Sequence, residues 1–307
     1  MSLIVNNISK SFGAVKALRD LSLEIAEGEL FGLIGPDGAG KTTLFRIMAS
    51  LMLPDAGSCS MMGFDTVKDY REIRQMIGYM PGRFSLYMDL TVEENLDFYA
   101  RVFGSTIQDN YDLVREVYEQ IAPFRKRRAG KLSGGMKQKL ALSCALIHRP
   151  RVLILDEPTT GVDAVSRQEF WEMLKKIQRE RITIVVSTPY MDEAELCDRV
   201  ALIQRGKILH VSRPRDLGCG EKASIFALRS ERGIHGYLNL LRKMPEVRHA
   251  WLFGDALHVV PRGPGDQSVV EAALKMVEDP SLKWEAMAPG IEDTFMMLLA
   301  GQEKVEN

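Results

Sequence analysis

The sequence predicts an α/β fold whose main sheet is largely parallel. Short apolar runs typical of buried strands recur along the first two thirds of the chain. Longer segments with helical periodicity separate them, and Gly or Pro residues mark many of the boundaries. Parallel strands need crossover connections, so strands that alternate with helices favour a parallel sheet with helices packed against it.

The N-terminal segment predicts an antiparallel β subdomain followed by the first strand of the main sheet. Residues 3–26 alternate apolar and polar side chains around the turn-like pair Phe12-Gly13, as an antiparallel hairpin should. Leu30 to Gly35 form an apolar run that leads into a glycine-rich loop, and Lys41 then opens a helix through Leu51.

The middle of the chain predicts an α-helical lobe over about residues 83–150. It follows a helix at 67–76, a strand at 77–80 and a break at Pro81-Gly82. Thr91 and Glu94 form a capping-box pattern ahead of a helix through Phe103. A further helix is expected over 111–122, and the lobe ends with a helix that starts at Ser133.

Short β-type runs return after the lobe and complete the main sheet. They lie at 152–156, 183–187, 199–204 and 207–211, with a helix at 166–179 between the first two. This alternation predicts a parallel sheet with crossover helices, as in a RecA-like core.

The pattern changes after Pro214, which predicts a second, smaller domain. Residues 1–215 and 216–307 are therefore expected to form separate units. The tail predicts a β-α-β-β-α-β order, which suggests a ferredoxin-like α+β domain. Its predicted elements are strand 224–230, helix 236–243, strand 247–252, strand 256–261, helix 267–278, strand 283–288 and a last helix at 291–299.

Composition restricts the possible partners and the cellular compartment. The 40 basic residues nearly equal the 41 acidic ones, so no nucleic acid is expected as a partner. The cysteines have no C-x-x-C spacing, which favours reduced, mostly buried thiols in the cytosol over a zinc site or a disulfide framework. They are Cys59, Cys144, Cys197 and Cys219. No apolar run approaches about 18 residues, and the N-terminus has no signal-peptide pattern.

A phosphate-binding loop is the first motif that carries chemistry. Residues 35–42 fit G-x-x-x-x-G-K-[ST], in which glycines let backbone N–H groups approach phosphate oxygens. Lys41 would neutralise phosphate charge, and the Thr42 hydroxyl would reach Mg²⁺. The predicted nucleotide contacts from this loop are Gly35, Pro36, Asp37, Gly38, Ala39, Gly40, Lys41, Thr42 and Thr43.

Two further motifs follow in the same chain. The run Leu132-Ser133-Gly134-Gly135-Met136-Lys137-Gln138 puts Ser133 at a helix start, where its hydroxyl, the Gly135 amide and the helix dipole can face an anion. The run Val152 to Glu157 is an apolar strand that ends in two carboxylates.

Taken together, the three motifs resemble those of the nucleotide-binding subunit of an ATP-binding cassette (ABC) transporter. The resemblance covers about residues 1–215 and implies a RecA-like P-loop core, with ATP and Mg²⁺ as cofactors. It implies that Asp156 orients Mg²⁺ through water and that Glu157 is the general base, which makes Glu157 and Lys41 the catalytic residues.

Two more residues gain a role only through this resemblance. Phe12 falls where the family places an aromatic residue that stacks on adenine, although a hairpin aromatic often just packs. Asp163, in Gly161-Val162-Asp163, matches a loop that crosses to the partner subunit, although alone it would be an ordinary turn aspartate.

Two departures from the family pattern lie at the same site. Gly82 replaces a glutamine that touches Mg²⁺ and the attacking water, and Pro189 replaces a histidine that contacts the γ-phosphate. Neither residue offers a side-chain donor. We therefore expect weak hydrolysis, because both of these groups are missing. We expect Mg·ATP binding to remain tight, because the phosphate loop is intact.

The resemblance also implies a head-to-tail dimer of cassettes. Each ATP would lie between one phosphate loop and the other subunit's Ser-Gly-Gly run. The ATP bound to the second cassette would therefore contact Ser133, Gly134, Gly135 and Gln138 of this chain. A homodimer would carry two impaired sites. A heterodimer, which we favour, would place an intact run from this chain on a competent partner site.

A second implied partner is an integral membrane permease subunit, bound at the cytoplasmic face of the cell membrane. The stretch 83–90 combines aromatic residues with Met beside a helix start. These residues fit two interpretations equally well: a groove that binds a helix of the partner, or a loop anchored on the core of the helical lobe. Met191 to Glu195 and the tail resemble ABC-2-type multidrug exporters, especially the first half of tandem-cassette versions. The alternatives are a soluble ABC ATPase of translation or DNA repair, and a regulatory, nearly inactive nucleotide-binding subunit.

Overall fold

The computed structural model describes residues 2–217, 225–263, 271–272 and 279–303. The chain divides into two compact units, Met1–Ser212 and Arg213–Asn307. The division predicted at residue 215 is a proposal about domain organisation, and each unit is described by itself below.

The first unit contains these strands and helices. The strands are β1 (Leu3–Phe12), β2 (Val15–Ile25), β3 (Leu30–Ile34), β4 (Ala56–Met61), β5 (Phe64–Asp65), β6 (Ile77–Met80), β7 (Val152–Asp156), β8 (Thr183–Thr188), β9 (Arg199–Gln204) and β10 (Lys207–Ser212). The helices are α1 (Lys41–Met48), α2 (Tyr70–Met76), α3 (Val92–Val102), α4 (Tyr111–Tyr118), α5 (Gly134–Leu146), α6 (Ala164–Arg179) and α7 (Met191–Ala194).

The main sheet has the strand order β10-β9-β3-β8-β7-β6, and only the β9–β10 pair is antiparallel. The predicted largely parallel α/β fold is thus confirmed. Its register pairs Ile34 with Thr188 and Asp156 with Ser187. Because carboxyl ends of parallel strands share one edge, the segments that follow β3, β6, β7 and β8 emerge side by side there.

An antiparallel sheet of order β2-β1-β4-β5 packs beside the main sheet. The predicted hairpin is present, with Phe12 paired to Val15 at its turn. Strands β4 and β5 were not predicted, because Ala56–Met61 is rich in small residues and its pairing partner, β1, is about fifty residues away. A continuous core joins the two sheets and α1, with Phe31 and Phe45 fully buried in it.

The helical lobe contains α3, α4 and α5. The predicted capping box is present, since the Thr91 hydroxyl accepts from the Glu94 N–H while the Glu94 carboxylate accepts from the Thr91 N–H. Three predicted helices of the first unit are shorter than expected, and the first of them, α1, ends at Met48 rather than at Leu51. The Asp65 carboxylate accepts hydrogen bonds from the N–H groups of Val67 and Lys68 and holds them in a turn, so α2 begins at Tyr70. Helix α4 ends at Tyr118, ahead of Pro123.

The second unit contains a four-stranded antiparallel sheet. Its described elements are β11 (Ile225–Arg229), α8 (His235–Leu241), β12 (Val247–Phe253), β13 (Ala256–Pro261), β14 (Lys283–Met287) and α9 (Ile291–Glu303). The strand order is β12-β13-β11-β14. Most of the helix predicted at 267–278 lies outside the described residues, so the ferredoxin-like interpretation stays a prediction.

Candidate nucleotide-binding site

The loop between β3 and α1 is held in a tight curve by its glycines. Gly40 has φ of +110°, and a Cβ added there would lie 2.6 Å from the Ala17 carbonyl oxygen. A Cβ on Gly35 would lie 2.2 Å from the Ile203 carbonyl oxygen. Only glycine fits either position, so these two residues permit the backbone to form a cradle of the kind that binds phosphate.

Lys41 is the first residue of α1, its side chain turns back into this loop, and only 4% of its surface is exposed. Its Nζ donates to the carbonyl oxygens of Gly35 at 2.7 Å and Pro36 at 3.1 Å. The same Nζ lies 3.0 Å from Oε1 of Glu157. The structure therefore brings together the two residues predicted to be catalytic, and it keeps the ammonium charge inside the loop.

The carboxylates at the end of β7 are tied to β8. Asp156 is 2% exposed, and its Oδ1 accepts a hydrogen bond from the Ser187 hydroxyl at 2.8 Å. The N–H of Glu157 donates to Ser187 Oγ at 3.0 Å and to the Ser187 carbonyl oxygen at 3.2 Å. Glu157 has φ of +48°, a left-handed conformation that non-glycine residues seldom adopt.

These residues fit a magnesium ion. Thr42 and Asp156 supply a hydroxyl and a carboxylate, the hard oxygen donors that Mg²⁺ prefers. Within residues 2–217, 225–263, 271–272 and 279–303, no group of three or more His, Cys, Asp or Glu side chains could hold a metal by itself. Mg²⁺ suits such a sparse donor set, because it is commonly held by one or two protein ligands together with water and phosphate oxygens.

Both departures from the family pattern lie at this edge. A Cβ added to Gly82 would be 3.1 Å from the Asp156 carbonyl oxygen, so Gly82 lies directly beside the carboxylate strand. Pro189 follows Thr188, the last residue of β8, which pairs with Ile34 just ahead of the phosphate loop. Neither side chain can donate a hydrogen bond to this site.

Phe12 and Asp163 are accessible, but each already has a contact within the chain. The Phe12 side chain is 49% exposed at the hairpin turn, with Lys10 Nζ 5.8 Å from its ring centroid. Asp163 caps α6 by accepting from the Ser166 N–H at 3.0 Å, and this hydrogen bond lowers the pKa of its carboxyl group. The structure thus leaves the Phe12 ring free to meet a ligand and gives Asp163 a structural role in this chain.

The Ser-Gly-Gly run occupies the start of α5. Ser133 Oγ accepts from the Met136 N–H at 3.3 Å, as an N-cap. A Cβ on Gly135 would lie 2.7 Å from Ser166 Oγ, so the run packs against the start of α6. Gln138, further along α5, also lines an apolar cavity. No hydrogen bond or ion pair between described residues joins this run to the phosphate loop of the same chain.

Sequence reasoning missed a buried polar network beside the site. Glu193 is 2% exposed, and its carboxylate accepts from the hydroxyls of Thr159 and Thr188. Arg167 pairs with Glu193 at 2.9 Å and lies 4.0 Å from the Tyr190 ring centroid. The available signal was the pair of polar residues, Ser187 and Thr188, directly after the apolar run 184–186 of β8.

Comparisons with known proteins agree with this geometry. The sequence pattern that defines the ABC transporter family matches residues 18–160. The Nod factor export ATP-binding protein I of Rhizobium sp. strain N33 is 34% identical over 306 residues, which cover 95% of this chain and 94% of that protein. This chain belongs to the ABC transporter family.

The probable multidrug ABC transporter ATP-binding protein YbhF of Escherichia coli K12 is 38% identical over 303 residues, 97% of this chain and 52% of that protein. The chain therefore spans about half the length of this ABC transporter relative. Among the described residues, no helix is both long enough and apolar enough to span a bilayer.

Solved ABC cassettes share the fold. The dimeric structure of the bacterial ABC transporter cassette MJ0796 has a TM-score of 0.63 at 25% identity, and the match covers 69% of this chain and 98% of the cassette. A post-hydrolysis state of that cassette, bound to ADP and Pi, has a TM-score of 0.62 at 25% identity, with the same coverage. The predicted cassette fold of the first unit is thus confirmed.

Proposed function

We propose that this chain is the ATP-binding subunit of an ABC exporter, which holds Mg·ATP tightly at its own phosphate loop and hydrolyses it slowly. The observation that carries the proposal is the buried Lys41 ammonium, surrounded by loop carbonyl oxygens and Glu157. An amine held this way inside a glycine-rich loop suits the β- and γ-phosphates of a nucleotide. Export is favoured because the relatives compared above are named for multidrug transport or Nod factor export.

Each residue of the site has a proposed task. The backbone of residues 35–43 and the side chain of Lys41 bind the phosphates, and Phe12 stacks on the adenine ring. Thr42 and Asp156 hold Mg²⁺, which when bound neutralises charge on the phosphate oxygens. Glu157 orients the attacking water and accepts its proton. Glu157 Oε1 lies 3.0 Å from Lys41 Nζ, so phosphates that bind Lys41 would compete with this ion pair and would release the Glu157 carboxylate.

Slow hydrolysis follows from Gly82 and Pro189. Phosphoryl transfer depends on preorganised groups around the transferred phosphate, and removing one such group lowers the rate by about 10² to 10³. Binding depends mainly on the phosphate loop, which is complete. The chain would therefore retain ATP for longer than a cassette that carries both family residues.

A second cassette would complete the nucleotide site. The run Ser133 to Gln138 lies at the start of α5 and makes no hydrogen bond to the phosphate loop of its own chain, within the described residues. In a head-to-tail dimer this run would face the ATP of the partner. We favour a heterodimer, in which Ser133, Gly135 and Gln138 serve a competent site on the partner while this chain's own site stabilises closure.

The membrane permease would dock between the main sheet and the helical lobe. An apolar cavity of about 260 Å³ lies there, lined by residues that include Tyr79, Phe84, Leu86 and Phe103. Beside it Tyr87 is 50% and Met88 44% exposed. An apolar groove with exposed aromatic and Met side chains at its rim suits a short helix of a partner. Such docking would place the chain at the cytoplasmic face of the membrane.

Isothermal titration calorimetry with Mg·ATP tests the binding claim. We expect binding to the wild-type chain and a loss of affinity of at least about 100-fold in Lys41→Ala, because a desolvated charge-assisted contact to phosphate is removed. Lys176→Ala, which removes an exposed lysine of α6, is the matched control and should bind like wild type. Absence of any heat with the wild-type chain would sink the proposal.

Purification from native membranes tests the partners. An integral membrane protein and a second cassette should copurify with the chain. A Tyr87→Ala, Met88→Ala double variant should lose the membrane protein while it retains Mg·ATP binding. Recovery of ribosomes or DNA in place of a membrane protein would contradict the exporter assignment.

A further inference from the structure

Within the described part of the chain, Ser187 is the one side chain that makes a hydrogen bond to both Asp156 and Glu157. It is fully buried, at 0% exposure, near the end of β8. Its hydroxyl donates to Asp156 Oδ1 at 2.8 Å and accepts from the Glu157 N–H at 3.0 Å. A serine hydroxyl has one donor and two acceptor positions, so the donor is fully committed to Asp156.

We infer that Ser187 is a positioning residue of the nucleotide site, which holds the Asp156 carboxylate in the orientation that serves Mg²⁺. The inference rests on the function proposed above. The hydroxyl occupies Oδ1, and between described residues Oδ2 makes no hydrogen bond, so one oxygen is fixed while the other is left for the ion and its waters. Outer-shell hydrogen bonds of this kind orient metal ligands, and their loss costs about 10- to 100-fold in metal affinity.

The two contacts of the hydroxyl have unequal importance. The Glu157 N–H also donates to the Ser187 carbonyl oxygen at 3.2 Å, so the left-handed turn at Glu157 keeps a partner when the hydroxyl is removed. The Asp156 carboxylate accepts from no second donor within the described residues. Removing the hydroxyl should therefore affect the Asp156 carboxylate more than the conformation of Glu157.

This difference predicts a specific phenotype for Ser187→Ala. The phosphate loop and Lys41 are untouched, so binding of ATP in EDTA should stay within about 2-fold of wild type. Binding in Mg²⁺ should weaken by about 10-fold, at the low end of the usual range, because Asp156 would act on the ion through water. At a fixed nucleotide concentration well below saturation, the Mg²⁺ concentration that gives half of the maximal increase in binding should rise by a similar factor.

The experiment measures the Kd of a fluorescent ATP analogue in Mg²⁺ and in EDTA for the full chain. Ser187→Thr, which keeps the hydroxyl, should restore the magnesium effect. Ser143→Ala is the matched control, since Ser143 is also 0% exposed and donates its hydroxyl to the Lys139 carbonyl oxygen inside α5. Thermal melts of each variant show that the chain is folded.

The results separate the role of Ser187 from the proposed function. Loss of affinity confined to Mg²⁺, absent from Ser143→Ala, supports the inference. Equal weakening in Mg²⁺ and EDTA, or no weakening in either, would overturn it while the wild-type chain still binds ATP. A wild-type chain that binds no nucleotide would overturn the proposed function itself, and the role of Ser187 with it.

Discussion

Restoring the missing glutamine should accelerate hydrolysis without tightening binding. In Gly82→Gln, the new amide would be placed beside Asp156, where the family pattern has a group that touches Mg²⁺ and the attacking water. Gly82 is not among the glycines with a left-handed backbone, so a side chain there adds no φ strain. The added Cβ would lie 3.1 Å from the Asp156 carbonyl oxygen, so that strand end must shift by a few tenths of an ångström.

The expected gain follows from these two effects. One preorganised donor contributes about 10² to 10³ in rate, and the small shift of Asp156 offsets part of that. We expect a single-turnover rate about 10²-fold above wild type, with the Kd for Mg·ATP changed by less than about 3-fold. Pro189→His should act in the same direction, and the double variant should gain less than the product of the two.

The assay follows cleavage of radiolabelled ATP by an excess of protein, so that binding and release do not limit the rate. Gly82→Ala and Pro189→Ala are the matched controls, since they change the backbone and Cβ in the same way but add no donor. Equal rates for Gly82→Gln and Gly82→Ala would refute the reasoning, because the amide would then contribute nothing.

Three other predictions concern stability and reactivity. Glu193→Ala should lower the free energy of unfolding by about 3 kcal/mol, because it leaves Arg167 and two threonine hydroxyls without their buried partner. Asp192→Ala should lower it by less than about 1 kcal/mol, because Asp192, the other partner of Arg167, is 74% exposed. Urea titrations of the two variants compare these losses. Burial raises the pKa of the Cys59 thiol to about 12 and also raises the pKa values of Cys144 and Cys197. A Cys219→Ser chain should therefore resist maleimide when it is folded and react at three thiols in urea. Rapid labelling of the folded chain would contradict the burial of these thiols. Hydrogen bonds from Ser230 and Ser281 lower the pKa of Asp279, so the second unit should be fully stabilised by them above the unfolded pKa of about 3.9 and lose this stabilisation as the pH falls toward the folded pKa. In a Trp171→Phe chain, the fluorescence of Trp251 and Trp284 reports the urea midpoint of this unit. The midpoint should fall less steeply with decreasing pH when Asp279→Asn is added, and identical slopes would contradict the prediction.

Local patterns in the sequence were sufficient to predict most of the first unit. The apolar runs at β3, β7 and β8 have the composition of buried strands, and the capping box at Thr91 marks the start of α3 from four consecutive residues. Strand β4 was missed because its small residues form a strand only through pairing with β1. Such long-range pairing has little local signal.

The site was predictable where a motif lies on consecutive residues and less so where contacts cross between strands. The phosphate loop could be located from its residue spacing, and the roles of the Asp156-Glu157 pair came from the family resemblance. The contact of Ser187 with Asp156 depends on the register between β7 and β8, which a one-residue shift would abolish. The Lys41–Glu157 ion pair likewise depends on how two separate loops meet at the sheet edge.

The most direct test of the account is the lifetime of ATP bound to the wild-type chain. An excess of protein is mixed with radiolabelled ATP and Mg²⁺, and the fractions of bound and cleaved nucleotide are followed from seconds to hours. We expect nearly all ATP to be bound and to remain intact for many minutes, with binding abolished in Lys41→Ala. Cleavage as fast as that of the Gly82→Gln, Pro189→His double variant, or no binding at all, would contradict it.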